Sequence, residues 1–347
     1  MAQITIWANA DNALHLIRRS LRIACERSLR SSAAALWCAS ILVSSIAHAA
    51  VTISTAATQN MSCSNSVCAP TAKKAVLNVT DLESLLAGGD TTVTTTGAGG
   101  VQANDIDERA LLNWSSSSRL SLDAHCSITV TKSISVGGLA AVALTTNDGG
   151  NGGILSFGEK GSLSFTNPSS TLSVNGVSYS LVGTIAALAS AIRANPSGDY
   201  ALANDYDASG DGTYSNSPIT TQFTGSFEGL GNTISHLSIY CSKCRDVGLF
   251  SEVDSGGEVA SLKMTSLNLR VAGRKHSTAL GGVTGTNGGV LFDVHVSGKI
   301  STKSSVSGGI AGGNGGSIIS STSNVRIKSL DVAGGLGPVD KLQPDFD

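Results

Sequence analysis

The stretch Gly281-Gly282-Val283-Thr284-Gly285-Thr286-Asn287-Gly288-Gly289 returns 27 residues later as Gly308-Gly309-Ile310-Ala311-Gly312-Gly313-Asn314-Gly315-Gly316. At the same offset Leu291 meets Ile318 and Ile300 meets Ile327, and an imperfect earlier copy runs from Val247-Gly248-Leu249-Phe250 to Gly256-Gly257. A fixed period of this length constrains the fold more than any other feature. Each copy is too small to bury its own apolar face, so copies must stack and share a core. Period-matched aliphatics predict that shared core, and period-matched Gly and Asn predict tight turns with positive φ.

Upstream, the apolar pattern has a period of two in very short runs. Examples are Leu120-Ser121-Leu122, Ile128-Thr129-Val130, Ile134-Ser135-Val136, Leu163-Ser164-Phe165 and Leu172-Ser173-Val174, separated by Gly, Asn, Asp or Ser. Strands of three to five residues do not build a wide sandwich without long hairpins, and no hairpin dipeptides recur at useful places. Stacked turns of a parallel β-helix suit them better. The expected fold class is therefore all-β, a parallel solenoid with one or two short bracing helices.

The first helix is expected at Thr80–Gly88, with Thr80 and Glu83 as a capping box, Leu82, Leu85 and Leu86 on one face, and Gly88 as the stop. The second is expected at Ile185–Ala194, with Ile185, Leu188 and Ile192 on one face and Asn195-Pro196 ending it. These divide the chain into a lead-in at 50–90, a first strand-rich segment at 91–182, a helix and Asp/Gly-rich connector at 183–222, and a repeat segment at 223–337. An irregular tail follows at 338–347. The repeat restarts at Gly335 and Leu336, but the tail with Pro338 and Pro344 replaces its Asn-Gly-Gly turn. The expectation is a shortened form of a longer protein that self-associates through an open last turn.

Residues 1–49 differ from the rest. Five arginines (Arg18, Arg19, Arg22, Arg27, Arg30) face only Asp11 and Glu26, and the apolar run Ala33–Val43 ends at Ala47-His48-Ala49. That is a secretory signal peptide cut after Ala49. The remainder has 18 Lys and Arg against 23 Asp and Glu, a charge of −5, and the whole chain carries −2. Neither gives an electrostatic case for nucleic acid. In an oxidising compartment the close pairs Cys63/Cys68 and Cys241/Cys244 are disulfide candidates, leaving Cys126 odd. A four-Cys zinc site is the alternative, but no other ligand clusters near either pair.

Three sets of residues together resemble a known family. They are Phe223-Thr224-Gly225-Ser226-Phe227-Glu228-Gly229-Leu230-Gly231-Asn232-Thr233-Ile234, the run Val247-Gly248-Leu249-Phe250, and the Gly-Gly-Val/Ile-x-Gly-x-Asn-Gly-Gly units. They are similar to the GLUG-repeat region of large bacterial adhesins, and residues 91–174 to the β-helix of the filamentous haemagglutinin family. The resemblance implies a right-handed winding, export to the bacterial surface, and adhesion. Its implied partners are surface glycans or proteins, further copies of the chain, and a separate outer-membrane transporter. The chain departs from the family in lacking an Asn-Pro-Asn-Leu-type secretion motif and in having only about three recognisable repeat turns.

Chemistry is sparse. Asp205, Asp207, Ser209 and Asp211 alternate before Gly212, the spacing of oxygen ligands in a Ca²⁺ loop, but Asn216 stands where a bidentate Glu is wanted. The competing reading is an Asp/Gly turn bonded to its own backbone. No other cofactor is expected. A β-helix polysaccharide lyase or hydrolase needs converging carboxylates, whereas Glu228, Asp246, Glu252, Asp254 and Glu258 are scattered, and His236, His276 and His295 stand alone. The favoured reading is an exported adhesin; the alternatives are that enzyme or a structural matrix component.

Overall fold

In the computed structural model the described residues are 49–329 and 333–334, apart from 151, 243, 273–278 and 303–305. All belong to the unit His48–Asp347; residues 1–48 of the expected leader and the tail at 338–347 lie outside the described residues. The fold is all-β, with two α-helices among the described residues, α1 (Val79–Gly88) and α2 (Ile185–Ala194).

From Asp105 the chain visits three sheets in turn and then starts again. Asp105–Glu108, Ile128–Val130 and Leu155–Phe157 lie side by side in the first sheet. Leu112–Trp114, Ser133–Val136 and Ser162–Phe165 share the second, and Arg119–Asp123, Ala141–Thr145 and Thr171–Val174 the third. Every one of these neighbours is parallel. From Ser226 the chain instead makes a repeating circuit of four sheets, and the repeat pairs in register: Leu291 lies beside Ile318 and Ile300 beside Ile327.

The two halves join in one long sheet, at a place that no periodicity marks. Thr171–Val174 pairs antiparallel with Val177–Val182 through Asn175 (φ 50°) and Gly176 (φ 80°). Both turn residues have positive φ, the requirement of a type I′ hairpin. Strand direction reverses there, and the buried face changes with it. Leu172 and Val174 face the core of the first half, as do Tyr179 and Leu181 across the hairpin. On the other face Val182, Leu202, Phe227 and Val259 enter a second core. One sheet therefore separates two cores. Buried Asn232 bridges them, donating to the carbonyls of Leu163 (2.8 Å) and Leu202 (3.0 Å). Lys263 adds a second tie, donating Nζ to the carbonyls of Gly158, Glu159 and Gly161 at 2.9 to 3.1 Å.

Several expectations are corrected. The lead-in at 50–90, for which only a helix is expected, is also built of strands: Ala50–Ser54 pairs with Ala75–Asn78 and Asp105–Glu108, and Met61–Ser64 forms a hairpin with Val67–Pro70. The connector holds Asp199–Leu202, which lies in the long sheet. Helix α1 starts one residue early because Asn78, not Thr80, is its cap; Asn78 Oδ1 accepts from the Thr80 and Asp81 N–H groups. Glu83, freed from a capping box, accepts from Asn113 N–H at 2.9 Å. Helix α2 has its expected bounds, capped by Thr184, with Ile185, Leu188 and Ile192 buried.

The repeat glycines are corrected in their cause. None of Gly281, Gly282, Gly285, Gly289, Gly312 or Gly316 has positive φ. They are there because backbones meet. A Cβ on Gly289 would stand 2.1 Å from Gly257 O, and one on Gly316 2.1 Å from Gly289 O, so Gly257, Gly289 and Gly316 form a column with no room for a side chain.

Candidate functional site

The Asp205–Asp211 segment is built into the wall of the fold. Asp205 Oδ1 accepts from Thr233 N–H (2.7 Å), fastening the start of the next strand. Asp207 Oδ1 accepts from Ser209 N–H and meets His236 Nδ1, both at 2.9 Å. These two bonds hold the exposed Asp207 carboxyl below the ordinary carboxylate range. Asp211 turns to two phenols, accepting from Tyr206 on Oδ1 and from Tyr214 on Oδ2. Burial, with the Asp211 bond second, pushes Tyr206 up to about 12 and Tyr214 upward as well. The structure thus brings Asp207 and Ser209 together as a local turn and sends Asp205 and Asp211 elsewhere. Among the described residues no three His, Cys, Asp or Glu side chains gather as a metal-holding group.

Cys63 is joined to Cys68, and Cys241 to Cys244. The first pair sits at facing positions of the Met61–Ser64/Val67–Pro70 hairpin, so the bond crosses directly opposed residues. The second closes a short turn and lines an open cleft with Ser215, Asn216, Tyr240 and Ser242. Cys126 is free.

The carboxyl groups that burial shifts upward lie at sequence positions that look scattered or unremarkable. Glu108 is fully buried, with Oε1 accepting from Ala110 N–H and Oε2 from Lys132 N–H. Burial outweighs those bonds and lifts its carboxyl to about 7. Glu228 and Glu258 lie on one face of adjacent strands, since Ser226 pairs with Glu258 and Glu228 with Ala260. Glu228 Oε2 is buried without a hydrogen-bond partner. Burial first, then the like charge of Glu258, raises Glu228 to about 8, against the pull of Ser261 and the Leu230 N–H. Tyr179 beside it is pushed up to about 12 by burial and by Glu228, Asp199 and Glu258. No sequence spacing marks this group, because strand register assembles it.

A carboxyl whose folded pKa is raised from 4.5 to about 8 is fully accommodated below 4.5, and its contribution is lost as pH climbs towards 8. Between pH 6 and 9, Glu228 alone should lower stability by about 2–3 kcal/mol. Glu228→Gln is expected to flatten that slope and raise the thermal midpoint at pH 9 by about 5 °C. Calorimetry of the two proteins across pH 5–9 checks this; parallel profiles would show that Glu228 ionises freely.

No protein-family model matches the chain, and no solved structure matches it. Over 78 residues the chain is 41% identical to Halomucin of Haloquadratum walsbyi (strain DSM 16790 / HBSQ001), a match covering 22% of this chain. The chain spans only about 1% of the length of that protein.

Proposed function

We propose that this chain is an exported bacterial surface protein that mediates attachment, wound as a right-handed parallel β-helix. The observation that carries the reading is the in-register stacking of the repeat. On the strand faces Ser162 meets Ser133, Ser156 meets Thr129 and His295 meets Thr322 one above another, as the buried Asn287 does inside, donating Nδ2 to Asn314 Oδ1 at 2.7 Å. A wall of repeating small polar groups offers many weak, equivalent contacts, and such contacts sum through multivalency. The buried-face switch at Asn175-Gly176 supports one winding sense throughout. A chain that reverses its strands and keeps its hand must pass its crossovers on the opposite side of the shared sheet. Surface glycans or proteins are the partners this wall suits, and the two disulfides suit an oxidising compartment.

Expression of the full chain in a non-adherent host tests this. The proposal expects the protein to be cut by protease added to intact cells, to begin at Ala50, and to increase attachment to glycan-coated surfaces. Protein retained inside with Met1 in place, or surface protein without gain in attachment, would overturn it. The polysaccharide hydrolase alternative draws on the Glu228 and Glu258 carboxyls sharing a face, and it requires turnover that Glu228→Gln abolishes.

A further inference from the structure

A chain of net charge −2 presents four exposed cations on four strands of one sheet, whose outlying strand Tyr206–Asp207 carries the exposed Asp207. The strands Ser238–Cys241, Lys263–Val271, His295–Thr302 and Thr322–Lys328 are parallel neighbours in one sheet. None contains Asp or Glu. Their inner faces carry Ile239, Leu269, Ile300 and Val325. Their outer faces align in two columns. One runs Ser238, Asn268, Lys299, Arg326, and the other runs Tyr240, Arg270, Ser301, Lys328. Arg270, Lys299, Arg326 and Lys328 are exposed, and among the described residues none is in an ion pair. Arg270 stacks over the ring of the half-exposed Tyr240, 5.6 Å from its centroid. Adjacent strands are roughly 5 Å apart, and alternate residues along a strand roughly 7 Å apart. Four cations, three amide or hydroxyl side chains and one phenol thus share a flat area of a few strands' width.

We propose that this face binds an acidic polysaccharide whose sugars carry carboxylates. The inference rests on the attachment reading and names the ligand class. Clustered cations without carboxylate partners draw a polyanion and release its counterions. Guanidinium groups accept carboxylates in a two-point geometry, and Asn268 and Ser301 between them suit sugar hydroxyls. Nucleic acid fits less well: a flat strand face puts no element into a groove, and one tyrosine is a poor platform for successive bases. A membrane surface fits less well too, because no apolar side chains are interspersed among the cations.

The test measures binding of the purified protein to polygalacturonate, neutral dextran, a single-stranded DNA oligonucleotide and anionic phospholipid vesicles. The expected result is polygalacturonate binding that weakens as salt rises and a lack of binding to dextran. Lys299→Ser/Arg326→Ser should weaken it at least about tenfold with unchanged circular dichroism and thermal midpoint. The exposed pair Lys73→Ser/Lys74→Ser removes equal charge elsewhere and should leave it within about twofold. Equal loss in both double variants, no polygalacturonate binding, or tighter binding to DNA or vesicles would overturn the inference. If attachment of intact cells persists in Lys299→Ser/Arg326→Ser, this face is not the ligand site although the attachment reading stands. Polygalacturonate binding by a surface-displayed protein that confers no attachment would instead support the ligand class and overturn the attachment reading.

Discussion

Gly289→Ala is expected to destabilise the protein by about 3 kcal/mol or more, whereas Gly315→Ala should cost less than about 1 kcal/mol. The two glycines belong to the same repeat and lie in successive copies of the Asn-Gly-Gly turn. They differ in what a methyl group meets. At Gly289 it lands 2.1 Å from Gly257 O and 2.7 Å from Asp254 O, both backbone atoms that have no rotamer to yield. At Gly315 the nearest atom is Asn287 O, an ordinary contact at 3.7 Å. The parallel pairing on either side, Glu258 with Val290 and Val290 with Ser317, must open to make room at Gly289. Denaturant midpoints of the two variants check this, and equal midpoints would mean that neighbouring turns pack less closely than these contacts require.

Phe250→Ala should cost about 3–5 kcal/mol, and Phe250→Leu less than half of that. Phe250 is fully buried, stacked on Phe223 at 5.4 Å between centroids and tilted against Phe227 at 5.9 Å. Tyr200 extends the ring cluster from Phe223, at 6.4 Å. Alanine leaves a ring-sized hole among side chains anchored on separate strands and on the bridged Phe223 segment, which cannot close without shifting their register. Urea titration reads the loss, and a cost under about 1 kcal/mol would show that the cluster collapses freely around the gap.

The parts of the fold set by periodicity are legible in the sequence, and those set by register are not. The pairing of Leu291 with Ile318 and of Ile300 with Ile327 follows from an offset visible in the chain, because each copy must bury the same residues. Helix α2 is legible because its apolar spacing, its Thr184 cap and Asn195-Pro196 all agree. The start of α1 is ambiguous because Asn78 and Thr80 are both cap residues, and the backbone chooses the earlier. The face switch is hidden because a single Asn-Gly among many turn residues carries no sign of what it joins. The repeat glycines look like turn formers; their true reason, contact with the preceding copy, exists only once copies are stacked. The buried position of Glu228, the partner of Asp205 and the basic columns share that origin, whereas the phenols on Asp211 come from its own neighbourhood, three and five residues away. Arg270 and Lys328 are far apart in the chain, and parallel pairing through Ser301 brings them to one face.

The sense of winding in an experimental electron-density map tests the central claim most directly. Right-handed, parallel turns are expected in both halves. Their cores should lie on opposite faces of the sheet that contains Asn175-Gly176, with Leu172 facing one core and Val182 the other. An antiparallel Greek-key sandwich, or halves of opposite hand sharing one core face, would contradict it.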